Sequence, residues 1–331
     1  MKAYLTKIAY YLPKGILNNE ILNEQFPEWS VDKISSKTGI NERHIASEGE
    51  LSSDMAEKIA NQLFETHQID KSSIDFLLFC TQSPDYFLPT TACLLQDRLG
   101  LSVNCGALDF NLGCSGYVYG LSLAKGLICS GAAKNVLLIT SETYSKFIHP
   151  EDKSNRTIFG DAASASIISS EATEGFEIQD FVFGTDGSGG EHLMVKYGGL
   201  RHPIKSQADA TAPEAFLYMN GQEVFSFTIQ RIPKLIADVA AKNNVEKEEI
   251  DLFVFHQANK FMMEHLQKKA SIPNDKFFIH LEGCGNTVSS TIPIALLEAV
   301  KAKKINNKSK IMLAGFGVGL SWAGTVLTYK S

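Results

Sequence analysis

Two segments of the chain repeat one pattern at a fixed distance. Residues 74–80 read Ile-Asp-Phe-Leu-Leu-Phe-Cys, and residues 250–256, 176 positions later, read Ile-Asp-Leu-Phe-Val-Phe-His. Apolar runs of this length are typical of strands that are covered on both faces. Downstream, the apolar segment 310–314 follows the second copy much as segment 135–139 follows the first. Similar features in the same order predict two structurally similar halves of about 170 residues.

The predicted division is an N-terminal half over residues 1–172 and a C-terminal half over residues 173–331. Strand-like and helix-like segments alternate within each half, which favours mostly parallel sheets covered by helices. Because each sheet needs both faces covered, the two halves are expected to pack through a shared helical layer. A long helix is predicted from Asn220 to Ala241, with an interruption at Pro233.

Composition excludes several classes of protein. The 331 residues are 44% hydrophobic and 21% charged, as in an ordinary globular protein, and the net charge of −6 argues against a nucleic-acid partner. The sequence contains no signal-peptide pattern and no apolar run long enough to span a bilayer. Its six cysteines form no C-x-x-C pair, which argues against a zinc site and predicts a reduced, cytoplasmic protein without a metal.

Cys114 lies where a short apolar strand ends, Gly113 turns the chain and a helical pattern begins. The apolar residues Leu121, Ala124 and Ile128 are spaced as one face of that helix. A helix N-terminus stabilises an anion, so this setting predicts a lowered cysteine pKa and a reactive thiolate. The alternative is a small buried side chain at a strand–helix junction, which is the commoner role of a free cysteine.

Two further segments contain polar residues at the ends of predicted strands. His256 follows the buried strand of the second half directly and is followed by Gln257-Ala-Asn259. A histidine in this position can accept a proton or donate a hydrogen bond, or it can simply be satisfied by the backbone. Asn286 lies in the glycine-rich turn Gly283-Cys-Gly-Asn-Thr, where its amide can serve either as a donor to a ligand or as a turn residue.

The segment Gly315-Phe-Gly-Val-Gly-Leu-Ser-Trp322 superficially suggests a dinucleotide-binding loop. A β-like run rather than a helix follows it, and the spacing of the third glycine is wrong, so we reject that interpretation. Backbone N–H groups directed at a developing oxyanion are a better use of this turn. The segment Asp186-Gly-Ser-Gly-Gly190 resembles part of a serine protease, but no all-β pattern supports that function.

Together these motifs resemble the β-ketoacyl-[acyl-carrier-protein] synthase III family of the thiolase superfamily. The resemblance extends from residue 38 to residue 324, with the motifs in family order. They are Thr38-Gly-Ile-Asn-Glu-Arg-His-Ile-Ala46, Gly-Cys-Ser-Gly around Cys114, Phe159-Gly-Asp-Ala-Ala163, Gly184-Thr-Asp-Gly187, Asn220-Gly-Gln-Glu-Val-Phe225, His256-Gln-Ala-Asn259, Gly285-Asn-Thr287 and the 315–322 segment.

The resemblance implies an α/β fold of the thiolase type, with five layers in the order αβαβα and two similar halves, and a homodimer. It implies that Cys114 takes an acyl group from acyl-CoA and that malonyl-carrier protein is then decarboxylated and condensed with that group. His256 and Asn286 would stabilise the enolate, and the backbone N–H groups of Cys114 and Val318 would form the oxyanion hole. Acyl-CoA, acyl carrier protein and malonyl-carrier protein are implied as partners or substrates, without a cofactor.

The carrier-protein docking segment implied by the resemblance comprises Gln257, Ala258, Asn259, Lys260 and Phe261. Several positions depart from the family pattern, and they affect substrate contacts more than the condensing chemistry. Val318 replaces a glycine, Lys33 stands where a CoA-stacking tryptophan is common, Lys37 replaces an arginine, the positive charge of the docking segment is at Lys260, and Leu88 replaces a phenylalanine of the acyl-pocket wall.

These departures leave two alternatives to a fatty-acid condensing enzyme. One is a specialised acyltransferase with the same fold and nucleophile that acylates an oxygen, nitrogen or carbon acceptor. The other is a non-catalytic partner subunit that holds a carrier or an acyl chain, which the retention of Cys114, His256 and Asn286 disfavours. A chalcone-synthase-type enzyme has the same triad but usually a longer chain, and we rank it lower.

Overall fold

The computed structural model describes residues 2–331, which form ten helices and thirteen strands. The helices are α1 (Asn19–Gln25), α2 (Val31–Thr38), α3 (Ser52–His67), α4 (Thr91–Arg98), α5 (Gly116–Cys129), α6 (Lys153–Arg156), α7 (Gln207–Thr211), α8 (Gly221–Lys242), α9 (Lys260–Lys269) and α10 (Thr291–Lys301). The strands are β1 (Tyr4–Tyr11), β2 (Gly15–Asn18), β3 (Glu42–Ile45), β4 (Phe76–Cys80), β5 (Gly106–Phe110), β6 (Asn135–Glu142), β7 (Ala162–Ser169), β8 (Gly175–Thr185), β9 (Leu193–Met194), β10 (Tyr218–Met219), β11 (Leu252–Phe255), β12 (Lys310–Gly317) and β13 (Ser321–Lys330).

Nine strands form one continuous hydrogen-bonded sheet in the order β11-β12-β13-β8-β1-β7-β6-β4-β5. Only β4–β5, β4–β6 and β11–β12 are parallel pairs, and the other five pairs are antiparallel. The prediction of mostly parallel sheets was therefore wrong. One reason is that only residues 318–320 join β12 to β13, which is too short for the crossover that parallel strands need.

The helices divide this sheet into two sections and form five layers. Helix α3 packs on β1, β6 and β7, whereas α8 packs on the far side of the other section, against β8, β12 and β13. Between the sections lie α5, which contacts β4, β6, β12 and β13, and α10, which contacts β1, β7 and β11. This αβαβα arrangement is the thiolase-like fold that the resemblance implied.

The central helices α5 and α10 are apolar on more than one face because a sheet section lies on each side of them. Tyr117 and Leu121 of α5, together with Ile292 and Leu296 of α10, are completely buried in the central core. Burial of this kind contributes about 1.5–3 kcal/mol for each large side chain. The first turns of α5 and α10 are consequently held firmly, and the segments just before them, at Cys114 and Asn286, line the cavity described below.

Helix α8 runs without a break through Pro233. The predicted interruption was wrong, although proline removes one backbone hydrogen bond from a helix interior. The apolar face that includes Phe227, Ile232, Leu235 and Val239 is buried against the sheet, and this packing outweighs the local loss. Strand β12 also extends through Gly315 and Gly317, so the predicted glycine-rich loop is limited to residues 318–320.

The boundary predicted between residues 172 and 173 falls in the connection between β7 and β8. The division into two halves at this point stays a prediction. None of the described helices combines the length and the apolar character needed to cross a membrane.

Candidate active site

Cys114, His256 and Asn286 line one cavity of about 130 Å³. The three residues come from segments far apart in the sequence: the turn before α5, the end of β11 and the turn before α10. Much of the remaining wall is apolar and includes Leu193, Met219, Val224, Met262 and Phe316. The structure thus brings together the three residues that the sequence predicted as catalytic.

The Cys114 sulfur lies beside the end of β12, where glycine is required. A Cβ atom added to Gly317 would lie 2.9 Å from Cβ and 3.0 Å from Sγ of Cys114, closer than side chains normally approach. The main-chain N–H groups of Cys114 and Val318 both favour the charged form of the sulfur. Two N–H groups that converge at the nucleophile form the kind of donor pair that stabilises an oxyanion.

The prediction that the Cys114 pKa is lowered was wrong. Helix α5 begins at Gly116, two residues after the cysteine, and the thiol is buried. Burial is the largest cause that raises the thiol pKa, to about 12, and the nearby carboxyl group of Glu142 adds to it. The main-chain N–H groups of Cys114 and Val318 lower the thiol pKa, but their effect is smaller. At neutral pH the Cys114 side chain is therefore a thiol, because desolvation disfavours the charged form.

His256 is a buried and neutral histidine. Its Nδ1 atom lies 2.8 Å from the hydroxyl oxygen of Thr291, so Nε2 is the ring nitrogen that does not take part in this contact. Burial lowers the pKa of His256 to about 3, so the ring is uncharged at neutral pH. The ring also contacts Phe316 edge to face, with the ring centroids 5.7 Å apart. These contacts fix the orientation of the imidazole.

Asn286 has its side-chain oxygen already engaged. The Oδ1 atom accepts a 2.9 Å hydrogen bond from the main-chain N–H of Val288. Its backbone pairs with the segment at Phe159, which also lines the cavity. Because the amide oxygen faces its own turn, the amide nitrogen remains as a donor for a ligand. Asn286 is therefore both a turn residue and a candidate hydrogen-bond donor.

A buried carboxyl group, Glu142, lies near the nucleophile at the end of β6. It accepts hydrogen bonds from the main-chain N–H of Gln82 (3.0 Å) and from the hydroxyl groups of Ser83 (3.2 Å) and Ser289 (3.1 Å). Burial raises its pKa to about 8. Ser289 follows Asn286 by three residues, so this carboxyl group links the turn that carries Asn286 to the loop after β4.

The predicted docking segment divides into buried and exposed parts. Gln257 is buried, and its amide donates to the main-chain oxygen of Phe255 (2.6 Å) and accepts from the N–H of His280 (2.8 Å). Ala258 and Asn259 line the cavity, and Asn259 caps α9. Lys260 and Phe261 are exposed, so only these two lie on the outer surface.

The predicted CoA-binding lysines, Lys33 and Lys37, lie on helix α2 beside Trp29. Their ammonium groups lie 5.2 Å and 5.8 Å from the centroid of the Trp29 ring. Gly39 ends this helix and lies against Lys260 at the start of α9. Helix α2 is thus packed next to the exposed part of the docking segment, although neither lysine lines the Cys114 cavity.

Leu88 does not line the cavity of its own chain. It lies in a loop before α4 and is 83% exposed. A role in the acyl-pocket wall would require a second copy of the chain.

Sequence reasoning missed Thr291, Glu142 and Gln82 as neighbours of the catalytic residues. Gln82 accepts a hydrogen bond from the hydroxyl group of the buried Tyr144 (3.1 Å) and lies against Gly113. Glu142 and Gln82 could have been found from their positions at strand ends, since Glu142 ends β6 and Gln82 follows β4. No local pattern identified Thr291, because its role depends on contact with β11.

The fold defines an acyl-transferring enzyme of the thiolase type. Residues 108–187 match the sequence profile of 3-oxoacyl-[acyl-carrier-protein (ACP)] synthase III, and residues 240–329 match the profile of its C-terminal region. The β-ketoacyl-[acyl-carrier-protein] synthase III of Clostridium perfringens is 36% identical over 325 residues, which cover 98% of each chain.

Solved structures agree with this match. A crystal structure of a 3-oxoacyl-(acyl-carrier-protein) synthase III is 47% identical, with a TM-score of 0.94 and 99% of both chains covered. A 3-oxoacyl-(acyl-carrier protein) synthase from Burkholderia xenovorans is 35% identical with a TM-score of 0.91, covering 100% of this chain and 95% of the other. The chain belongs to the 3-oxoacyl-[acyl-carrier-protein] synthase III family, whose members are condensing acyltransferases.

Proposed function

We propose that this enzyme transfers an acyl group from acyl-CoA to Cys114 and condenses it with malonyl-carrier protein, releasing carbon dioxide. The observation that carries the proposal is the shared cavity, in which a nucleophilic sulfur faces two backbone donors and lies with His256 and Asn286. No cofactor takes part, since acyl-CoA and malonyl-carrier protein are both substrates.

The first step is a thioester exchange. The Cys114 sulfur bonds to the acyl carbon, the bond from that carbon to the CoA sulfur breaks, and the thiol proton ends on CoA. The carbonyl oxygen becomes an oxyanion in the tetrahedral intermediate, and the N–H groups of Cys114 and Val318 stabilise it. Covalent capture splits one difficult condensation into two easier steps.

The second step generates a carbon nucleophile. The malonyl carboxylate leaves as carbon dioxide, and its bonding electron pair forms an enolate on the thioester. In the tautomer that this step requires, the hydroxyl of Thr291 donates to Nδ1 of His256 rather than to the main-chain oxygen of Val288, and Nε2 carries the ring proton. The Nε2–H group and the amide of Asn286 then donate hydrogen bonds to the enolate oxygen. Neutral donors suit this buried site because a permanent charge there is costly. The enolate carbon then attacks the acyl carbon, the bond from that carbon to the Cys114 sulfur breaks, and the thiolate takes a proton from water.

The substrates enter beside α2 and α9. Lys260, together with Lys33 and Lys37, supplies positive charge suited to the phosphate groups of CoA and to an acidic carrier protein. Phe261 offers an apolar contact that is 53% exposed. We propose that these four residues form the outer contact surface, while Ala258 and Asn259 line the inner end of the channel.

We also propose that the enzyme is a cytoplasmic homodimer. Strand β5 lies at the edge of the sheet with its outer side unpaired, and Leu108 on it is 45% exposed. The nearby loop exposes Phe87 (81%) and Leu88 (83%). Exposed edges and apolar side chains of this kind are normally covered. In a dimer, Leu88 would form the acyl-pocket wall of the other subunit.

The dimer is tested by Leu108→Lys and Leu88→Asp in sedimentation velocity. We expect both variants to shift the protein towards the monomer. The matched control is Leu200→Lys, an exposed leucine in the connection between β9 and α7. A wild-type monomer at micromolar concentration would overturn the proposal.

The activity is tested by incubating the enzyme with acyl-CoAs of different chain length and then with malonyl-carrier protein. Intact-mass spectrometry is expected to show an acyl adduct on Cys114, followed by its discharge as a 3-oxoacyl-carrier product. An adduct that malonyl-carrier protein does not discharge would favour the specialised acyltransferase. Failure to form any adduct would favour a non-catalytic subunit.

A further inference from the structure

Arg43 on β3 is a fully buried cation that has no carboxylate partner among the described residues. Its guanidinium group donates instead to neutral oxygens. Nε donates to the main-chain oxygen of Thr157 (3.0 Å), Nη1 to Oδ1 of Asn19 (2.5 Å) and Nη2 to the main-chain oxygens of Ile40 (3.3 Å) and Thr157. Burial lowers its pKa to about 9, which still leaves it charged at neutral pH.

A buried charge without an opposite charge is expensive, even when hydrogen bonds satisfy it. Departures from the usual rules of packing tend to occur where function requires them. Arg43 belongs to the motif Thr38-Gly-Ile-Asn-Glu-Arg-His, and none of the reaction steps described above involves a residue of this motif. The place that Arg43 occupies therefore needs an explanation.

The guanidinium group holds the segment that carries Asn286 in register. The Thr157 carbonyl group belongs to the segment 157–160, which runs alongside the turn that contains Asn286. The N–H of Asn286 donates to the oxygen of Ile158 (2.9 Å), and the N–H of Gly160 donates to the oxygen of Asn286 (3.0 Å). These two hydrogen bonds form an isolated parallel bridge between Phe159 and Asn286.

The aliphatic stem of Arg43 packs directly under this bridge. A Cβ atom added to Gly285 would lie 3.0 Å from Cγ of Arg43 and 2.8 Å from the Ile158 oxygen. One added to Gly160 would lie 3.4 Å from Cβ of Arg43 and 2.5 Å from the Cys284 oxygen. Glycines on both sides bring the backbones this close together, so little free space remains around the stem. A change in the stem or in its hydrogen bonds is transmitted to Asn286.

We propose that Arg43 is a positioning residue for the condensation step, which acts by fixing the Phe159–Asn286 bridge and thus the direction of the Asn286 amide. The proposal rests on the proposed function, because it assigns the Asn286 amide to the enolate. Cys114 and its backbone donors lie on other segments, the turn before α5 and the end of β12. Arg43 should therefore affect decarboxylation and condensation much more than acylation of Cys114.

The test separates the two half-reactions in Arg43→Met and Arg43→Lys. Acylation is followed by the mass of the Cys114 adduct after mixing with acyl-CoA, and condensation by the turnover number with malonyl-carrier protein. We expect Arg43→Met to acylate at close to the wild-type rate but to lose about 100-fold in turnover, with little change in the KM for malonyl-carrier protein. Arg43→Lys should recover part of the loss, since it keeps the charge and one of the hydrogen bonds.

Gly160→Ala provides a second variant that disturbs the same bridge from the other side, in case Arg43→Met does not fold. It should show the same separation of the two half-reactions. The matched control is Arg98→Met, which removes a half-exposed arginine bonded to Asp54 and Glu57 and should leave both half-reactions unchanged.

Equal losses of acylation and condensation in Arg43→Lys and Gly160→Ala would overturn the proposal in favour of a general structural role. Unchanged condensation in Arg43→Met or Gly160→Ala would also overturn it. If the wild-type enzyme forms acyl-Cys114 without condensing it, the proposed function fails first, and this inference fails with it.

Discussion

The hydroxyl oxygen of Thr291 lies 2.8 Å from Nδ1 of His256 and 2.9 Å from the main-chain oxygen of Val288. Thr291 begins helix α10, whereas His256 follows β11, so this contact joins the central helical layer to the sheet that carries the histidine. With Nδ1 held in this way, only Nε2 is available to a substrate. The threonine therefore fixes the orientation of the imidazole. Its single hydroxyl proton can go either to Nδ1 or to the Val288 oxygen, and this choice sets the tautomer of the ring.

Replacing Thr291 by valine should slow condensation by about tenfold, the equivalent of one buried hydrogen bond. The shape of the side chain is kept, but Nδ1 loses its partner and the ring can adopt the other tautomer. Thr291→Ser retains the hydroxyl and should recover most of the rate. Turnover with malonyl-carrier protein measures the effect, and equal rates in the two variants would show that the hydroxyl has no part in the reaction.

Cys114→Ala should abolish the acyl adduct and lower condensation by at least about 1000-fold, because the covalent step is lost. Intact mass and product formation are the measurements, with circular dichroism as the control for folding. The exposed Cys93→Ala is the matched variant and should behave as wild type. Normal turnover by Cys114→Ala would exclude a mechanism with a covalent intermediate on Cys114.

His256 should make stability depend on pH in a defined direction. Its pKa is about 3 in the folded protein, against about 6.5 in the unfolded chain. Between these values the unfolded chain binds a proton that the folded protein does not, so stability is lost as the pH falls. Urea unfolding should show wild type losing about 1.4 kcal/mol per pH unit relative to His256→Asn below pH 6.

The catalytic rate should show no titration of His256 between pH 5 and 8, because the ring stays neutral throughout that range. The NMR chemical shifts of the imidazole, followed as the pH is varied, report the protonation of the ring directly. A His256 signal that titrates near pH 6.5 would contradict both the burial of the ring and its role as a neutral donor.

Much of the fold and the principal residues of the candidate site were predictable from local sequence signals and from the family resemblance. The repeat of apolar segments identified the strands β4 and β11, and the strand ends identified Cys114 and His256. The family resemblance supplied the five-layer fold and the pairing of Cys114 with His256 and Asn286.

The sequence did not predict features that depend on contacts between distant segments. The raised pKa of Cys114 results from burial among residues of distant segments, whereas the local helix signal indicated the opposite direction. The carbonyl oxygens around Arg43 come from residues 40 and 157, which no spacing rule connects. The continuity of α8 through Pro233 depended on tertiary packing, which overrides a local propensity.

Glu142→Gln should lower the pKa of Cys114, because it removes a buried negative charge that faces the thiol. The rate of Cys114 alkylation by iodoacetamide, measured against pH, should shift to lower pH and be faster at pH 8. Cys80, Tyr144 and Asp161 are other acidic groups that interact with the Glu142 carboxyl group, and all three remain in the variant. Glu298→Gln, a half-buried carboxylate near Tyr10, is the control and should leave the profile unchanged.

The same substitution should change the pH dependence of folding. Glu142 has a pKa of about 8 in the folded protein and about 4.5 in the reference state, so folding takes up a proton between these values. Stability of the wild type should therefore fall relative to Glu142→Gln as the pH rises from 5 to 8. An unchanged alkylation profile together with parallel stability curves would show that the carboxyl group is fully solvated.

Gly317→Ala should reduce acylation of Cys114 strongly while leaving most of the fold intact. The added methyl group would lie 3.0 Å from the sulfur, so the sulfur or the end of β12 must move, and the Val318 N–H moves with that strand. Loss of one oxyanion donor typically costs about 100-fold or more in rate. Gly126→Ala in α5 is the matched control, since nothing lies within 4 Å of its added methyl group. That control should keep full acylation and gain about 1 kcal/mol of stability from the better helix former. Normal acylation by Gly317→Ala, with its structure unchanged, would exclude the Val318 N–H from the oxyanion hole.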